Sequence, residues 1–158
     1  MERKMPMGLR FSLLHRAFMK QLNERLQEKG LTGLQFGVLS QLRRLRRSGL
    51  EEINQRDLEE ATRVTHPTMT EIVKRLEKQG FVTCAPSERD RRFKSIRATE
   101  KAAALHEEIK ELDGAIFTEL SRGLGAEDVD ALRRITDRML DNIFESCGKN
   151  KGGEADRA

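Results

Sequence analysis

The side chains with the clearest chemical potential fall in two neighbouring clusters. The first begins at Thr65 and offers His66, Pro67, Thr68 and Thr70, followed by Lys74 and Arg75. Short polar groups at the start of a helix can approach base edges, and cations further along can reach phosphates beside the groove. The second is the charged run from Glu88 to Arg92, continued by Lys94 and Arg97, where Glu88 and Asp90 offset only part of the positive charge. Taken alone, the first cluster is better described as a solvated outer face than as a binding face, and the second cluster changes that balance. Patterns for other chemistries are missing. No nucleophile-base arrangement, phosphate loop or dinucleotide motif occurs, so no enzyme is expected. The histidines His15, His66 and His106 form no HxxxH pattern, and Cys84 and Cys147 form no CxxC, so neither metal nor cofactor is expected.

The elements that must position these clusters follow from periodicity. Leu14, Phe18 and Leu22 recur at helical spacing between Leu9 and Leu26, and Gly30 stops that helix. Thr32 caps a second helix with Phe36, Val38, Leu42 and Leu45 inward and Arg43, Arg44, Arg46 and Arg47 in its last turns. A solvated helix end and a phosphate contact account equally well for those arginines. A short helix from Asn54 to Ala61 carries Leu58 inward, and a turn leads to Thr65 as N-cap of a helix from His66 to about Gln79. Its buried stripe is Met69, Ile72, Val73 and Leu76. After Gly80 the period becomes extended. Phe81 to Ala85 and Lys94 to Ala98 read as a hairpin with the basic run at its tip. Thr99 then caps a long helix with Ala102, Leu105, Ile109, Leu112 and Ile116 on one stripe. Beyond Gly123 and Gly125 a last helix to about Phe144 presents Val129, Leu132, Ile135, Met139, Ile143 and Phe144. Both stripes hold more apolar surface than a lone helix needs.

Two short helices, a tight turn and a basic hairpin form a unit that can lay one helix in the major groove and a loop in the minor groove. The segments LTGLQFGVLSQL (Leu31 to Leu42), INQRDLEEATRVTHPTMTEIVKRLEKQGFV and SERDRRFKSIRATEKA resemble the MarR family of bacterial regulators over nearly the whole chain. The resemblance implies a mainly α fold with a small β-hairpin wing, a winged helix-turn-helix whose N- and C-terminal helices intertwine in a homodimer. It implies that the helix from His66 reads bases and that Gln55 opens the supporting helix near the phosphate backbone. It also implies that Arg92, its geometry fixed by Asp90, enters the minor groove. The family usually reads Leu-Thr-x-x-Gly after the wing; Ala98, Thr99 and Ala102 here imply looser packing of the strand against the long helix.

The resulting expectation is a single domain over residues 1–147, with a DNA-binding core of about 32–98, dimerisation helices of about 8–29 and 99–146, and a disordered tail at 148–158. Its partners are double-stranded DNA, a second copy of the chain and a small aromatic ligand. As a repressor it binds a pseudo-palindromic operator and is released by a phenolic or aromatic acid. With neither Trp nor Tyr in the chain, such a ligand must pair with Arg or His, and Arg10, His15 and Arg16 are the candidates; His106 is expected at the surface. Two other readings stay open: a winged helix docking on an acidic protein, and a thiol-based redox sensor. The latter is disfavoured because neither cysteine has a basic or helix-start setting. Apolar residues at 37% and charged residues at 35% suit a folded domain of amphipathic helices, and the net charge of +4 matters only where it is concentrated. The longest uncharged stretch, Gly30 to Leu42, is shorter than a bilayer span and broken by polar residues, so neither a membrane span nor a secretory signal is expected. Unpaired cysteines then point to the cytoplasm.

Overall fold

A computed structural model describes residues 5–149. Six helices and one hairpin follow in the order α1 (Met7–Glu28), α2 (Gly33–Arg47), α3 (Gln55–Thr62), α4 (His66–Lys78), β1 (Val82–Pro86), β2 (Lys94–Ala98), α5 (Glu100–Leu120) and α6 (Ala126–Lys149). The chain divides into two compact units, one up to Ile116 and one from Phe117 onward, so the boundary falls within α5. The last helix continues past Phe144, where the apolar pattern ends, through Lys149. Residues 150–158, most of the expected tail, lie outside the described residues.

Local signals set the helix boundaries. In α2 the Thr32 hydroxyl accepts the Gln35 amide at 3.2 Å while the Gln35 side chain accepts the Thr32 amide at 2.8 Å. Asn54 and Asp57 repeat the same reciprocal cap at α3. The end of α4 is a Schellman motif: Gly80 takes φ +77°, its amide donates to Glu77 and the Phe81 amide donates to Leu76 at 2.8 Å. Phe81 and Leu76, the apolar pair of that motif, are both fully buried. Phe81 is thereby used as a cap residue, and β1 begins one residue later than its sequence pattern suggests.

The core of the first unit joins Leu26, Val38, Leu39, Leu42, Leu58 and Met69, with Ile72, Val73, Leu76, Phe81, Ile96 and Leu105 packed in the same cluster. The stripe of α4 is the expected one. That of α2 is shifted: Leu39 is fully buried, whereas Phe36 and Leu45 are only partly so. The two strands pair antiparallel with Cys84 opposite Ile96 and Pro86 opposite Lys94. The Ile96 amide also donates to the Ile53 carbonyl at 2.7 Å, tying the hairpin to the segment before α3. Ala102 is fully buried, and Thr99 caps α5 through the Ala102 amide at 3.4 Å.

Exposed apolar residues concentrate on two helices. In the first unit, Met7, Phe11 and Leu14 of α1 are open. In the second, Leu132, Ile135, Met139 and Ile143 of α6 are open at helical spacing. The side chain of Phe144 lies outside the described residues.

Candidate nucleic-acid interface

The start of α4 is pinned to α3 by a polar network. The Gln55 amide nitrogen lies 2.7 Å from the Thr70 hydroxyl and 2.9 Å from the Glu59 carboxylate. That carboxylate faces His66 Nδ1 at 2.8 Å, and the Thr70 hydroxyl donates to the His66 carbonyl at 2.9 Å. Hydrogen bonds from Gln55, then the His66 ring, hold the Glu59 carboxyl below the usual carboxylate range. Gln55, His66 and Thr70 are therefore brought together, with Glu59 as a member that the sequence reading did not name. Thr65 occupies the N-cap position in extended backbone but makes no side-chain cap bond. Its hydroxyl meets that of Thr68 at 3.0 Å instead, which corrects the expected capping role.

The outer face of α4 is open. His66, Pro67, Thr68, Glu71, Lys74 and Arg75 are exposed, and only the long contact from Lys74 to Glu71, 3.7 Å, spans them as an ion pair. Burial of Met69, Ile72, Val73 and Leu76 on the opposite face fixes which side faces outward.

At the wing tip Asp90 and Arg92 form one unit. The Arg92 amide and Nε donate to Asp90 Oδ1 at 3.0 and 3.1 Å, and Nη2 donates to Oδ2 at 2.7 Å. The guanidinium draws the Asp90 carboxyl below its usual range. The Arg92 side chain nevertheless stays 85% exposed, so its free edge is available to a partner. Beneath it lies Ser87, a buried residue whose hydroxyl accepts the amides of Arg89 and Asp90 at 3.2 and 3.1 Å. The same hydroxyl donates to Glu52 at 2.6 Å, and the Glu88 amide donates to the other Glu52 oxygen at 2.9 Å. These bonds hold the Glu52 carboxyl below the usual range. Glu52 and Ser87 were not foreseen. Ser87 carries a local signal, a hydroxyl placed to catch amides two and three residues on, whereas nothing near Glu52 announces a contact 35 residues away.

Other sequence candidates lie elsewhere. Arg10, His15 and Arg16 sit on the exposed surface of α1, where Arg10 Nε donates to the Met5 carbonyl at 3.0 Å. His106 is half-buried rather than at the surface: its Nδ1–H donates to the Ala102 carbonyl at 2.8 Å and its ring lies 5.2 Å from that of Phe36. A cavity of about 590 Å³ opens beside it, bordered by Arg43, Arg46 and Arg47 of α2 and Arg97 of β2, with none of the α1 candidates in its wall. Cys84 is half-buried, and burial followed by the Glu77 carboxylate pushes its thiol up to about 11. The reactive thiolate is thus scarce at neutral pH. The side chain of Cys147 lies outside the described residues. Among the described residues no three His, Cys, Asp or Glu side chains are grouped to hold a metal ion, and no helix is long and apolar enough to cross a membrane.

Taken together, α3, α4 and the hairpin define a winged helix-turn-helix, a class of DNA-binding fold. The model of the MarR family matches residues 29–92. The reduced form of MarR from E. coli is 26% identical with a TM-score of 0.69, over 88% of this chain and 99% of that one. MepR, the transcription regulator of the Staphylococcus aureus multidrug efflux pump MepA, shares the fold at 19% identity and a TM-score of 0.71, over 88% of this chain and 99% of that one. A MepR variant from S. aureus bound to an oligodeoxyribonucleotide does so at 18% identity and a TM-score of 0.68, over 89% and 99%. The match to the MarR family model is confined to residues 29–92, and the fold is the winged helix-turn-helix of MarR, that of a DNA-binding transcription regulator.

Proposed function

We propose that this chain is a cytoplasmic homodimeric repressor that binds a pseudo-palindromic operator and is released by a small, acidic effector. The observation that carries the reading is the Asp90–Arg92 unit, a guanidinium held at one edge and 85% exposed at the tip of a basic hairpin. A narrow minor groove concentrates negative potential, which favours an inserted arginine and reads groove width rather than base identity. In the same scheme His66, Pro67, Thr68 and Thr70, with Thr65 before them, approach base edges. Lys74, Arg75 and Gln55 lie toward phosphates. The oligodeoxyribonucleotide held by the MepR variant supports this use of the fold.

The winged-helix core then spans about residues 32–98, and helices over 8–29 and 99–146 supply the dimer contacts within one functional domain. The exposed apolar residues of α1 and, separately, of α6 support a second copy as their cover, since open surfaces of that kind mark association sites. Arg10, His15 and Arg16 are retained as effector contacts at the α1 surface.

Selection from a random duplex pool tests the reading. It should recover an inverted repeat with half-sites about 10 base pairs apart, and Arg92→Ala should lose affinity for it at physiological salt. Recovery of no consensus, with only weak salt-sensitive retention, overturns the proposal in favour of docking on an acidic protein.

A further inference from the structure

The polar network at the start of α4 decides which nitrogen of His66 carries the ring proton. A side-chain amide nitrogen has two protons to give. Those of Gln55 go to its two shortest contacts, the Thr70 hydroxyl at 2.7 Å and the Glu59 carboxylate at 2.9 Å. Its approaches to His66 Nδ1 and to the His66 carbonyl are longer, 3.2 and 3.3 Å, and that carbonyl already accepts the Thr70 hydroxyl at 2.9 Å. Nδ1 therefore receives no proton from Gln55, and it faces the Glu59 oxygen at 2.8 Å. Hydrogen bonds from Gln55, then from His66, hold the Glu59 carboxyl below its usual range, so it is ionised and only accepts. Two bare acceptors at that distance would repel, which places the proton on Nδ1. In the neutral ring Nε2 is then a lone pair. Among the described residues Nε2 makes no hydrogen bond, and the side chain is 75% exposed.

We infer that Glu59 is a specificity-determining positioning residue: by keeping the ring proton on Nδ1 it makes His66 Nε2 an acceptor that selects an exocyclic amine, of adenine or cytosine, in the major groove. The choice of base rests on the proposed DNA-binding reading, although the ring assignment does not. In that groove adenine N6 and cytosine N4 donate, whereas guanine and thymine offer only acceptors. A lone pair aimed at guanine leaves both acceptors unpaired, so the arrangement rejects guanine as much as it favours the amine. Gln55 supplies the alternative state. Without the Glu59 carboxylate, the amide proton it accepted is free for Nδ1, 3.2 Å away. Nδ1 then accepts, the ring proton passes to Nε2, and the same ring becomes a donor suited to guanine. Base preference at this position is thus set from α3, by a side chain that need not touch the base.

Two measurements on the full chain, both at about pH 8 where a histidine ring is ordinarily neutral, test this. The first is ring-nitrogen NMR without DNA, with His66→Ala to identify the signals. His66 should carry its proton on Nδ1, and Glu59→Ala, a change to a good helix former, should move it to Nε2. The second uses the duplex selected by the parent chain. His66→Ala should lose discrimination at one base pair in each half-site. Methylating the exocyclic amine of that pair, as N6-methyladenine or N4-methylcytosine, should weaken the parent about fivefold per half-site and leave His66→Ala within about twofold. A 7-deaza purine in the same pair, which removes only a ring acceptor, should cost the parent less than about twofold. In Glu59→Ala the methylation penalty should disappear, and guanine should be accepted in place of the amine-bearing base. A residue that only braced the fold would lower affinity for every duplex alike and leave the preference unmoved. A proton on Nε2 in the parent, a parent indifferent to amine methylation, or a Glu59→Ala chain with the parent's preference overturns the inference and leaves the repressor reading standing. A proton on Nδ1 in a chain that selects no duplex defeats the repressor reading, and the choice of base with it, while the ring assignment stands.

Discussion

Replacing Ser87 by alanine asks whether the wing works through a shape set before it meets DNA. Ser87 is 8% exposed, and its hydroxyl accepts two tip amides, those of Arg89 and Asp90, at 3.2 and 3.1 Å. Alanine fits the space but removes that acceptor. A neutral hydrogen bond contributes about 1 kcal/mol net, so the closed tip weakens by about 2 kcal/mol. The bond to Glu52 is left out of this sum because that half-buried carboxylate keeps the Glu88 amide and can take up water in place of the hydroxyl. Apparent affinity falls with the population of the competent tip, which puts a ceiling of about 30-fold on the loss at fixed salt. Fluorescence anisotropy with the selected duplex at two salt concentrations measures the loss, and amide hydrogen exchange over residues 87–93 measures the tip. The expected result is faster tip exchange, weaker binding up to that ceiling and an unchanged salt slope, since Arg92 is still present. Faster exchange with affinity within about twofold of the parent would refute the link between tip order and binding. Unchanged exchange would refute the role of the hydroxyl.

Lys74→Ala should weaken binding evenly across duplex sequences and reduce the salt slope by about 1, measured by anisotropy against salt concentration. Its loss should leave thermal unfolding in place, because Lys74 meets only Glu71, at 3.7 Å on an open face. Because Arg92 lowers the Asp90 pKa in the folded chain, the stabilisation it supplies is complete above the unfolded value of about 3.9 and is lost as pH falls through the lower folded value. Tip exchange, corrected for intrinsic rates, should therefore accelerate below about pH 4, and Asp90→Asn should reduce that step, leaving the part that belongs to the Glu52 carboxylate. Leu39→Ala, at a fully buried site in α2, should cost about 2–5 kcal/mol in denaturant unfolding.

Much of this architecture was legible because local rules and tertiary packing agree. The α4 stripe of Met69, Ile72, Val73 and Leu76 has one periodic solution, and all four are buried. The Asp90–Arg92 contact spans two residues and was implied by the resemblance. Departures arise where distant partners decide. Leu39 outranks Phe36 in burial because the surrounding elements select the centre of the α2 stripe. His106 is held by Ala102 and set beside Phe36, from another helix. Thr65 has the right type and position for a cap, yet Thr68 supplies a competing hydroxyl. Glu59 and Glu52 escaped notice because a carboxylate on a surface helix or loop looks the same whether or not it has a partner. On α6, Ile135, Met139 and Ile143 are exposed, as the length of its apolar run leads one to expect.

The junction at Gly80 carries a mechanical consequence. Between the last turn of α4 and the first strand there is almost no slack, and the head of α5 grips that joint from the side. The Thr99 hydroxyl donates to the Gly80 carbonyl at 2.7 Å, Lys101 Nζ donates to the Gln79 carbonyl at 2.7 Å, and the same ammonium sits 4.4 Å from the centre of the Phe81 ring. Helix and hairpin therefore share a single hinge pin. A tilt at the head of α5 would turn both like a crank, and in the proposed DNA complex the two groove contacts would engage or withdraw together.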